Sequence, residues 1–304
     1  ISTIICFKKH MITFTQLGRY GRLGNQLFQY AVLKSVALER GLSVKIPDPE
    51  TMIWQNQKCY LRHFNLECDY LDPVDYSKIK YRFQELDHAR FYSEVFNVSD
   101  YTDLYGFFQN YQYFSKYEKQ ISKELTLKNY IKELAKNYIN NIRNMGDSTA
   151  EIVSVHMRRG DSCDGTHPEF MNFFGEGDIL TKESNFGKYF FRALEQFSGK
   201  NVKFLVFSGG SRLGDKHNQS DIDWCKDNFQ GDNIYYSEGN TDLVDFEIMR
   251  QCDHNITSHM TSFGWWAAFL NDNPEKIVTA PQNYSIPDDG RVSRGFYPPQ
   301  WSII

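Results

Sequence analysis

The chain has 304 residues, which is enough for two domains of ordinary size, each with its own core. Its formal net charge of -4, without a basic tail, argues against a general nucleic-acid binder. The six cysteines form no Cys-x-x-Cys pair and match no zinc template, so free thiols are expected rather than a disulfide scaffold or a metal site.

The first ten residues contain only a short apolar run, which is too short for a signal-peptide core or a membrane helix. We therefore predict a cytoplasmic protein with neither a signal peptide nor a transmembrane segment. Residues 1–10 are compatible with an extension that precedes the first predicted strand, Met11–Leu17.

A glycine-rich loop follows this strand, and a helical apolar pattern begins at Leu27. Glycines at positions 18, 21 and 24 permit positive φ and close approach of a ligand, and a helix N-terminus favours an anion. The spacing is G-x-x-G-x-x-G, and Asn25-Gln26 replaces the small residues of a dinucleotide-binding turn. The loop is therefore a poor nicotinamide site.

The middle of the chain contains the predicted domain boundary. Residues 50–112 show no clear pattern apart from a strand predicted at Asp103–Phe108, and residues 113–144 have a helical pattern. Turn residues at 144–149 place the boundary there, which gives an N-terminal domain over residues 1–149 and a C-terminal domain over residues 150–304.

Strands and helices alternate regularly after the boundary, which predicts a parallel, doubly wound sheet. The predicted strands are Ile152–Met157, Val202–Ser208, Ile234–Tyr236, His254–His259 and Lys276–Ala280. The predicted helices are Ser184–Phe197, Asp221–Asn228, Asp242–Gln251 and Ser262–Leu270.

The first of these strands ends in the charged segment His156-Met-Arg158-Arg159-Gly-Asp161. A period of two residues sends His156 and Arg158 to the same side of the strand. Ligands bind beyond the carboxyl ends of strands in open α/β sheets, and a pair of arginines there suits a phosphate. The alternative is that both arginines pair with carboxylates on the rim.

Two predicted helices begin with residues that could also bind a nucleotide. Thr261 and Ser262 offer hydroxyl and N–H groups to an anion, although both residue types also serve as plain N-caps. Asp242 and Asp245, at the start of the other helix, could likewise serve only as helix caps. A carboxylate there could also accept two hydrogen bonds from the N1/N2 edge of guanine.

Other catalytic signatures are weak or absent. Asp221-Ile-Asp223 satisfies the Asp-x-Asp pattern of metal-dependent glycosyltransferases, but acidic residues are expected at a helix start in any case. No segment has the phosphate-loop spacing of a kinase or ATPase, and no Gly-x-Ser-x-Gly elbow of an esterase occurs.

Several segments, in order along the chain, carry a family resemblance: residues 21–31, 106–109 with 113–114, 155–161, 224–226 and 262–268. They resemble the α-1,2-fucosyltransferases of glycosyltransferase family 11. The resemblance implies an α/β fold of GT-B type, with two Rossmann-like domains facing across a cleft. It further implies transfer of L-fucose from GDP-β-L-fucose to the 2-OH of a terminal β-galactoside, with inversion, no metal and no cofactor besides the co-substrate.

Similarity to the α-1,6- and protein O-fucosyltransferases in the His-x-Arg-Arg segment implies individual roles. His156 would contact the nucleoside, Arg158 the β-phosphate and Asp245 the guanine. Asn25 would lie beside the donor sugar. The donor-binding residues expected in full are Arg22, Gly24, Asn25, His156, Arg158, Arg159, Asp245, Thr261, Ser262 and Phe263.

Arg158 and Asp161 are the predicted catalytic residues. Arg158 would meet the charge that develops on the departing diphosphate, whereas Arg159 points the other way on a regular strand and would support the loop. Asp161 is the first candidate for the general base, followed by Asp164, His167 and Glu169.

The chain departs from the family pattern at two places, the enlarged loop over residues 163–182 and His259-Met260. Both lie near the expected site, so acceptor specificity is the property that the resemblance implies least strongly. The expected partners are GDP-L-fucose and a β-galactoside-terminated oligosaccharide or glycolipid, and a lipid-linked acceptor would bring the protein to a membrane surface. The alternatives are another fucosyl linkage, a protein O-fucosyltransferase, a metal-dependent transferase using Asp221 and Asp223, or a GDP- or glycan-binding protein without transfer.

Overall fold

The structure, a computed structural model, describes residues 10–54, 57–87, 90–163, 185–210, 215–282 and 295–304. The chain forms two compact units. Unit 1 comprises Ile1–Lys128 and Ser293–Pro298, and unit 2 comprises Asn129–Val292 and Pro299–Ile304. Each unit thus contains a segment from the C-terminal part of the sequence.

This division differs from the boundary expected at residue 149. The helix Asn129–Asn144 belongs to unit 2 because its apolar side is buried there. The hydroxyl of Tyr138 donates to the carbonyl oxygen of Tyr236 at 3.2 Å, and the Lys203 ammonium donates to the carbonyl oxygen of Ile142 at 3.1 Å. The turn that suggested the boundary therefore connects two elements of the same unit.

Unit 1 contains a five-stranded sheet in which every pairing is parallel. Its strands are β1 Met11–Thr13, β2 Ser43–Ile46, β5 Asp69–Tyr70, β6 Tyr81–Gln84 and β7 Thr102–Tyr105, and they lie in the order β5-β2-β1-β7-β6. Separately, β3 Ile53–Trp54 pairs with β4 Gln57–Lys58 in antiparallel orientation. Its helices are α1 Leu23–Arg40, α2 Pro73–Lys78 and α3 Glu118–Glu124.

Helix α1 follows the glycine-rich loop and begins four positions earlier than the apolar pattern indicates. Two glutamines near its start are buried, and their amides satisfy backbone groups of unit 1. Gln26 donates to the carbonyl oxygen of Gly21 at 3.0 Å, and Gln29 donates to that of Gly106 at 3.1 Å. The helix ends at Gly41, whose φ of 67° is the left-handed conformation of a C-cap.

Unit 2 contains a six-stranded sheet whose described pairings are all parallel. Its strands are β8 Glu151–Met157, β9 Val202–Ser208, β10 Ile234–Tyr236, β11 His254–Ile256, β12 Val278–Ala280 and β13 Ser302–Ile303, and they lie in the order β10-β9-β8-β11-β12-β13. Its helices are α4 Asn129–Asn144, α5 Asn185–Glu195, α6 Asp215–Asn228, α7 Asp242–Gln251 and α8 Ser262–Phe269.

Strand β8 lies inside this sheet, between β9 and β11, and its residues from Ile152 to Met157 are buried. The predicted α/β class with parallel sheets is confirmed, and the two parallel sheets are the components that a GT-B fold requires. Among the helices that the structure describes, none combines the length and apolar character needed to cross a bilayer.

Candidate active site

Arg158 follows the last residue of β8, at the carboxyl edge of the sheet. Its N–H donates to the Ser258 hydroxyl at 3.3 Å, and its guanidinium pairs with the Asp161 carboxylate. The Arg158 side chain is 17% exposed, and its Nε is buried without a hydrogen-bond partner in the described parts of the chain. A buried guanidinium N–H with no acceptor favours an anionic ligand at this point.

Asp161 is almost completely buried and lies in a single turn of 3-10 helix, Gly160–Ser162. Its carboxylate orients Arg158, as the rim-pairing alternative predicted for these charges. Gly160 adopts a φ of 45°, and a Cβ there would lie 2.3 Å from the Gly209 carbonyl oxygen. Only glycine therefore allows β8 and β9 to continue into loops packed this closely.

Arg159 is held in unit 2 by different partners from those of Arg158. Its Nε donates to Asp221 Oδ1 at 3.2 Å, and its guanidinium lies 3.8 Å from the centre of the Trp224 ring. The other oxygen of Asp221 accepts from the Gly160 N–H at 2.9 Å. This arrangement agrees with the expected role of Arg159 in supporting the loop, and its donor-binding role stays a prediction.

The Asp-x-Asp pair is not arranged as a joint metal-ligand pair. Asp221 is buried against Arg159 and Gly160, whereas Asp223 is exposed and accepts from Gln219 at 2.9 Å. These observations give no support to the alternative in which Asp221 and Asp223 bind a metal together.

His156, the penultimate residue of β8, is buried against the start of α8. Its Nδ1 lies 3.3 Å from the Thr261 hydroxyl, and a Cβ on Gly264 would lie 2.5 Å from the same nitrogen. Burial, with the Arg158 charge in addition, lowers the pKa of His156 to about 3, so the ring is neutral. The Thr261 oxygen also accepts the Gly264 N–H at 3.2 Å, and a Thr261 hydroxyl proton donated to Nδ1 would leave the ring proton on Nε2.

Thr261 is the N-cap of α8, as the structural alternative for this residue predicted. The first N–H groups of an α-helix have no acceptor within the helix, and they carry a partial positive charge. Phe263 lies in this first turn, and its ring is 5.7 Å from His156 and 5.4 Å from Phe246. The residue before the cap, Met260, has a φ of 50°, a conformation that favours glycine.

Asp245 lies in the first turn of α7 and is partly buried. The Ser237 hydroxyl donates to its Oδ1 at 2.6 Å, and Asn240 donates to Ser237 at 3.0 Å. Burial raises the pKa of Asp245 to about 6, against the opposing effect of the Ser237 hydrogen bond. A carboxylate held from one side and desolvated in this way would be stabilised by N–H donors from a ligand.

The predicted donor residues of unit 1 lie at the start of α1. Arg22 is the N-cap and Gly24 is the second helical residue, not part of the preceding loop. Asn25 Oδ1 accepts a hydrogen bond of 2.6 Å from Gln109 Nε2. The latter contact joins two of the segments that carry the family resemblance. Three candidates for the general base, Asp164, His167 and Glu169, and most of the loop over residues 163–182, lie outside the described residues.

The site in unit 2 thus brings a partly buried arginine and a neutral histidine to one end of a parallel sheet, beside a helix N-terminus. These groups suit a phosphate-bearing ligand. A family model for glycosyl transferase family 11 matches residues 5–304. The chain belongs to this family and is a glycosyltransferase, which confirms the resemblance found in the sequence.

Individual proteins are similar over most of the chain. Galactoside alpha-(1,2)-fucosyltransferase 2 of Bos taurus is 26% identical over 275 residues, which cover 88% of this chain and 71% of the relative. Galactoside alpha-(1,2)-fucosyltransferase 1 of Homo sapiens is 27% identical over 278 residues, with coverages of 88% and 67%. NodZ alpha-1,6-fucosyltransferase co-crystallized with GDP has a TM-score of 0.49 at 12% identity, with coverages of 86% and 92%. A TM-score at this level supports no further conclusion.

Proposed function

We propose that this protein transfers L-fucose from GDP-β-L-fucose to the 2-OH of a terminal β-galactoside, with inversion and without a metal. Family membership and the names of the similar proteins support this reaction. The structural observation that carries the proposal is the Arg158 guanidinium, which Asp161 holds at the end of β8 and whose buried Nε lacks an acceptor among the described residues.

Fucosyl transfer creates negative charge on the departing diphosphate. Arg158 would meet this charge with N–H donors that Asp161 holds in place before the reaction begins, so little reorganisation is needed in the transition state. The N–H groups of Ser262 and Phe263 at the start of α8 would add their partial positive charge along the pyrophosphate. This division of roles requires no cofactor besides the co-substrate.

Recognition of the nucleoside would come from His156 and Asp245. Neutral His156, with its proton on Nε2, would donate to the ligand. The Ser237 hydroxyl holds Oδ1 of Asp245, and the carboxylate would accept hydrogen bonds from N1–H and N2–H of guanine. Asn25 is proposed beside the fucosyl group. Asp161 is also proposed as the general base. Its carboxylate is buried and already paired with Arg158, so it would have to accept the acceptor proton while keeping that pair.

The direct test is incubation of the protein with GDP-[¹⁴C]fucose and lactose, followed by linkage analysis of the product. We expect a product fucosylated at the 2-OH of galactose, and activity that is unchanged in EDTA. A different linkage, or fucose on a protein acceptor, would show another fucosyltransferase. Loss of activity in EDTA would favour a metal-dependent reaction, and GDP binding without transfer to any acceptor would show a binding protein.

The natural acceptor is proposed to be a β-galactoside-terminated oligosaccharide or glycolipid. A lipid-linked acceptor would bring the protein to a membrane surface, which co-sedimentation with vesicles that contain a galactose-terminated glycolipid would detect. Vesicles without the glycolipid are the control.

A further inference from the structure

Glu85, which follows β6 in unit 1, is a buried carboxyl group in a polar stretch of the sequence. It is 8% exposed, although it comes directly after an edge strand whose other residues are mostly exposed. Its Oε2 accepts the N–H groups of Phe107 at 2.7 Å and Phe108 at 2.9 Å. Its Oε1 is buried with no hydrogen-bond partner among the described residues.

The segment that Glu85 holds, Gly106–Gln109, has an unusual backbone. Gly106 has a φ of 149° and Phe108 a φ of 53°. A Cβ on Gly106 would lie 2.5 Å from the Glu85 Cβ, so the segment is packed directly on this side chain. Conformations of this kind persist only where surrounding contacts enforce them, and the two hydrogen bonds to Glu85 are such contacts.

The same segment fixes two residues at the start of α1 and in the preceding loop. The Phe107 ring is stacked on Tyr20 with 4.4 Å between ring centres, and Gln109 donates to Asn25 at 2.6 Å. Gln29 also donates to the carbonyl oxygens of both Tyr20 and Gly106. Displacement of the segment would therefore displace Asn25, through Gln109, and Tyr20, through Phe107.

We propose that Glu85 is a positioning residue for fucosyl transfer, which fixes Asn25 against the donor sugar by holding the segment Gly106–Gln109. Only the contact between Asn25 and the fucosyl group depends on the proposed function. GDP itself lacks that sugar, so Glu85 matters for binding of GDP-fucose and not for binding of GDP.

The protonation of Glu85 gives this role a pH dependence. Burial raises the pKa of Glu85 to about 7, against the lowering effect of the Phe108 and Phe107 N–H groups, and Asp87 adds to the rise. The other titratable groups facing it are the hydroxyls of Tyr20 and Tyr113, which stay neutral because burial raises their pKa values.

For a carboxyl group with a raised pKa, the stabilising contribution is complete below the ordinary value of 4.5 and is lost as pH rises through about 7. The folded state is therefore most stable with the neutral acid, because the cost of burying the charge outweighs the preference of the Phe107 and Phe108 N–H groups for a carboxylate. Above pH 7, a buried carboxylate with one unpartnered oxygen replaces it.

The test measures the dissociation constants of GDP-fucose and GDP by calorimetry for the wild type, Glu85→Ala and Glu85→Gln. Glu85→Ala removes the acceptor of two N–H groups, whereas Glu85→Gln keeps one acceptor oxygen without charge. The control is Asp75→Ala, which removes another buried acid of unit 1 that pairs with Lys45 at 2.6 Å. Amide hydrogen exchange at Phe107 and Phe108 is followed in the same four proteins.

We expect Glu85→Ala to weaken GDP-fucose binding about fivefold, the effect of one lost hydrogen bond, with GDP binding changed less than twofold. Exchange at both amides should quicken, Glu85→Gln should restore most of the preference for GDP-fucose, and its preference should not change between pH 6 and 8. Asp75→Ala should lower thermal stability without changing the ratio of the two constants.

An unchanged ratio in Glu85→Ala, or a ratio that Asp75→Ala changes equally, would overturn the role of Glu85. Unchanged exchange at Phe107 and Phe108 would do the same. Absence of transfer by the wild-type protein would count against the proposed function instead, so the two failures are distinguishable.

Discussion

Protonation of Asp245 should control recognition of guanine. If only the ionised carboxylate accepts the guanine N–H groups, the apparent dissociation constant of GDP grows by the factor 1 + 10^(pKa − pH). With the pKa of Asp245 raised to about 6, this factor is about 1.1 at pH 7 and about 11 at pH 5, so GDP binding should weaken about tenfold over this range. His156 and His259 do not contribute, because burial lowers the pKa of each to about 3.

The assay is calorimetric titration with GDP and ADP at pH 5, 6, 7 and 8. The two nucleotides share the diphosphate, whose own protonation cancels in the ratio of their dissociation constants. We expect the preference for GDP to fall by about tenfold from pH 7 to pH 5 in the wild type, and to be small and independent of pH in Asp245→Asn. A preference that stays constant in the wild type, or that survives in Asp245→Asn with its pH dependence intact, would refute the assignment of guanine to Asp245.

Three further predictions concern the same unit. Arg158→Ala should lose about 2–4 kcal/mol of transition-state stabilisation in kcat, and Arg158→Lys should restore little because a fork becomes a point charge; near-wild-type turnover in either variant would contradict the role of Arg158. Asp245→Asn should raise the free energy of unfolding by about 1–2 kcal/mol at pH 8 and have little effect at pH 4. The reason is that the raised pKa of Asp245 makes the wild-type protein lose stability as pH rises through about 6. Equal effects of the substitution at both pH values, measured by urea unfolding, would contradict this expectation. Gly160→Ala should destabilise by about 2–4 kcal/mol, since it adds a clash with Gly209 to a positive φ, whereas Gly199→Ala, with a φ of 77° and no atom within 4 Å of the added Cβ, should lose only about 1 kcal/mol; thermal unfolding of both variants provides the comparison.

The alternation of strands and helices after residue 150 could be predicted because the longest strands, Glu151–Met157 and Val202–Ser208, are largely apolar runs with polar turns on both sides. Strands Val202–Ser208 and Ile234–Tyr236 and helix Asp242–Gln251 have the predicted bounds. The sequence does not predict that helix Asn129–Asn144 belongs to unit 2. An amphipathic pattern shows that one side of a helix is buried, but it does not show which element covers that side.

The candidate site could be predicted only in part. Arg158 and Asp161 are three residues apart, so their pairing was an open alternative in the sequence. The link between Arg159 and Asp221 spans 62 positions, and no local pattern indicates it. Glu85 was missed for the same reason: its partners follow more than twenty positions later, and it stands in a polar stretch typical of an exposed edge.

The return of the chain to unit 1 at Ser293–Pro298 affects the order in which the protein can be completed during synthesis. The Phe296 ring lies 6.4 Å from that of Phe28 in α1, and its carbonyl oxygen accepts the N–H of Tyr111 at 3.4 Å. A ribosome that has translated the chain as far as Lys128 has therefore not yet supplied every part of the core of unit 1. Most of the sheet of unit 2 can form before Phe296 has been synthesised and can pack into unit 1. A fragment that ends at Lys128 would therefore keep an uncovered aromatic surface beside Phe28.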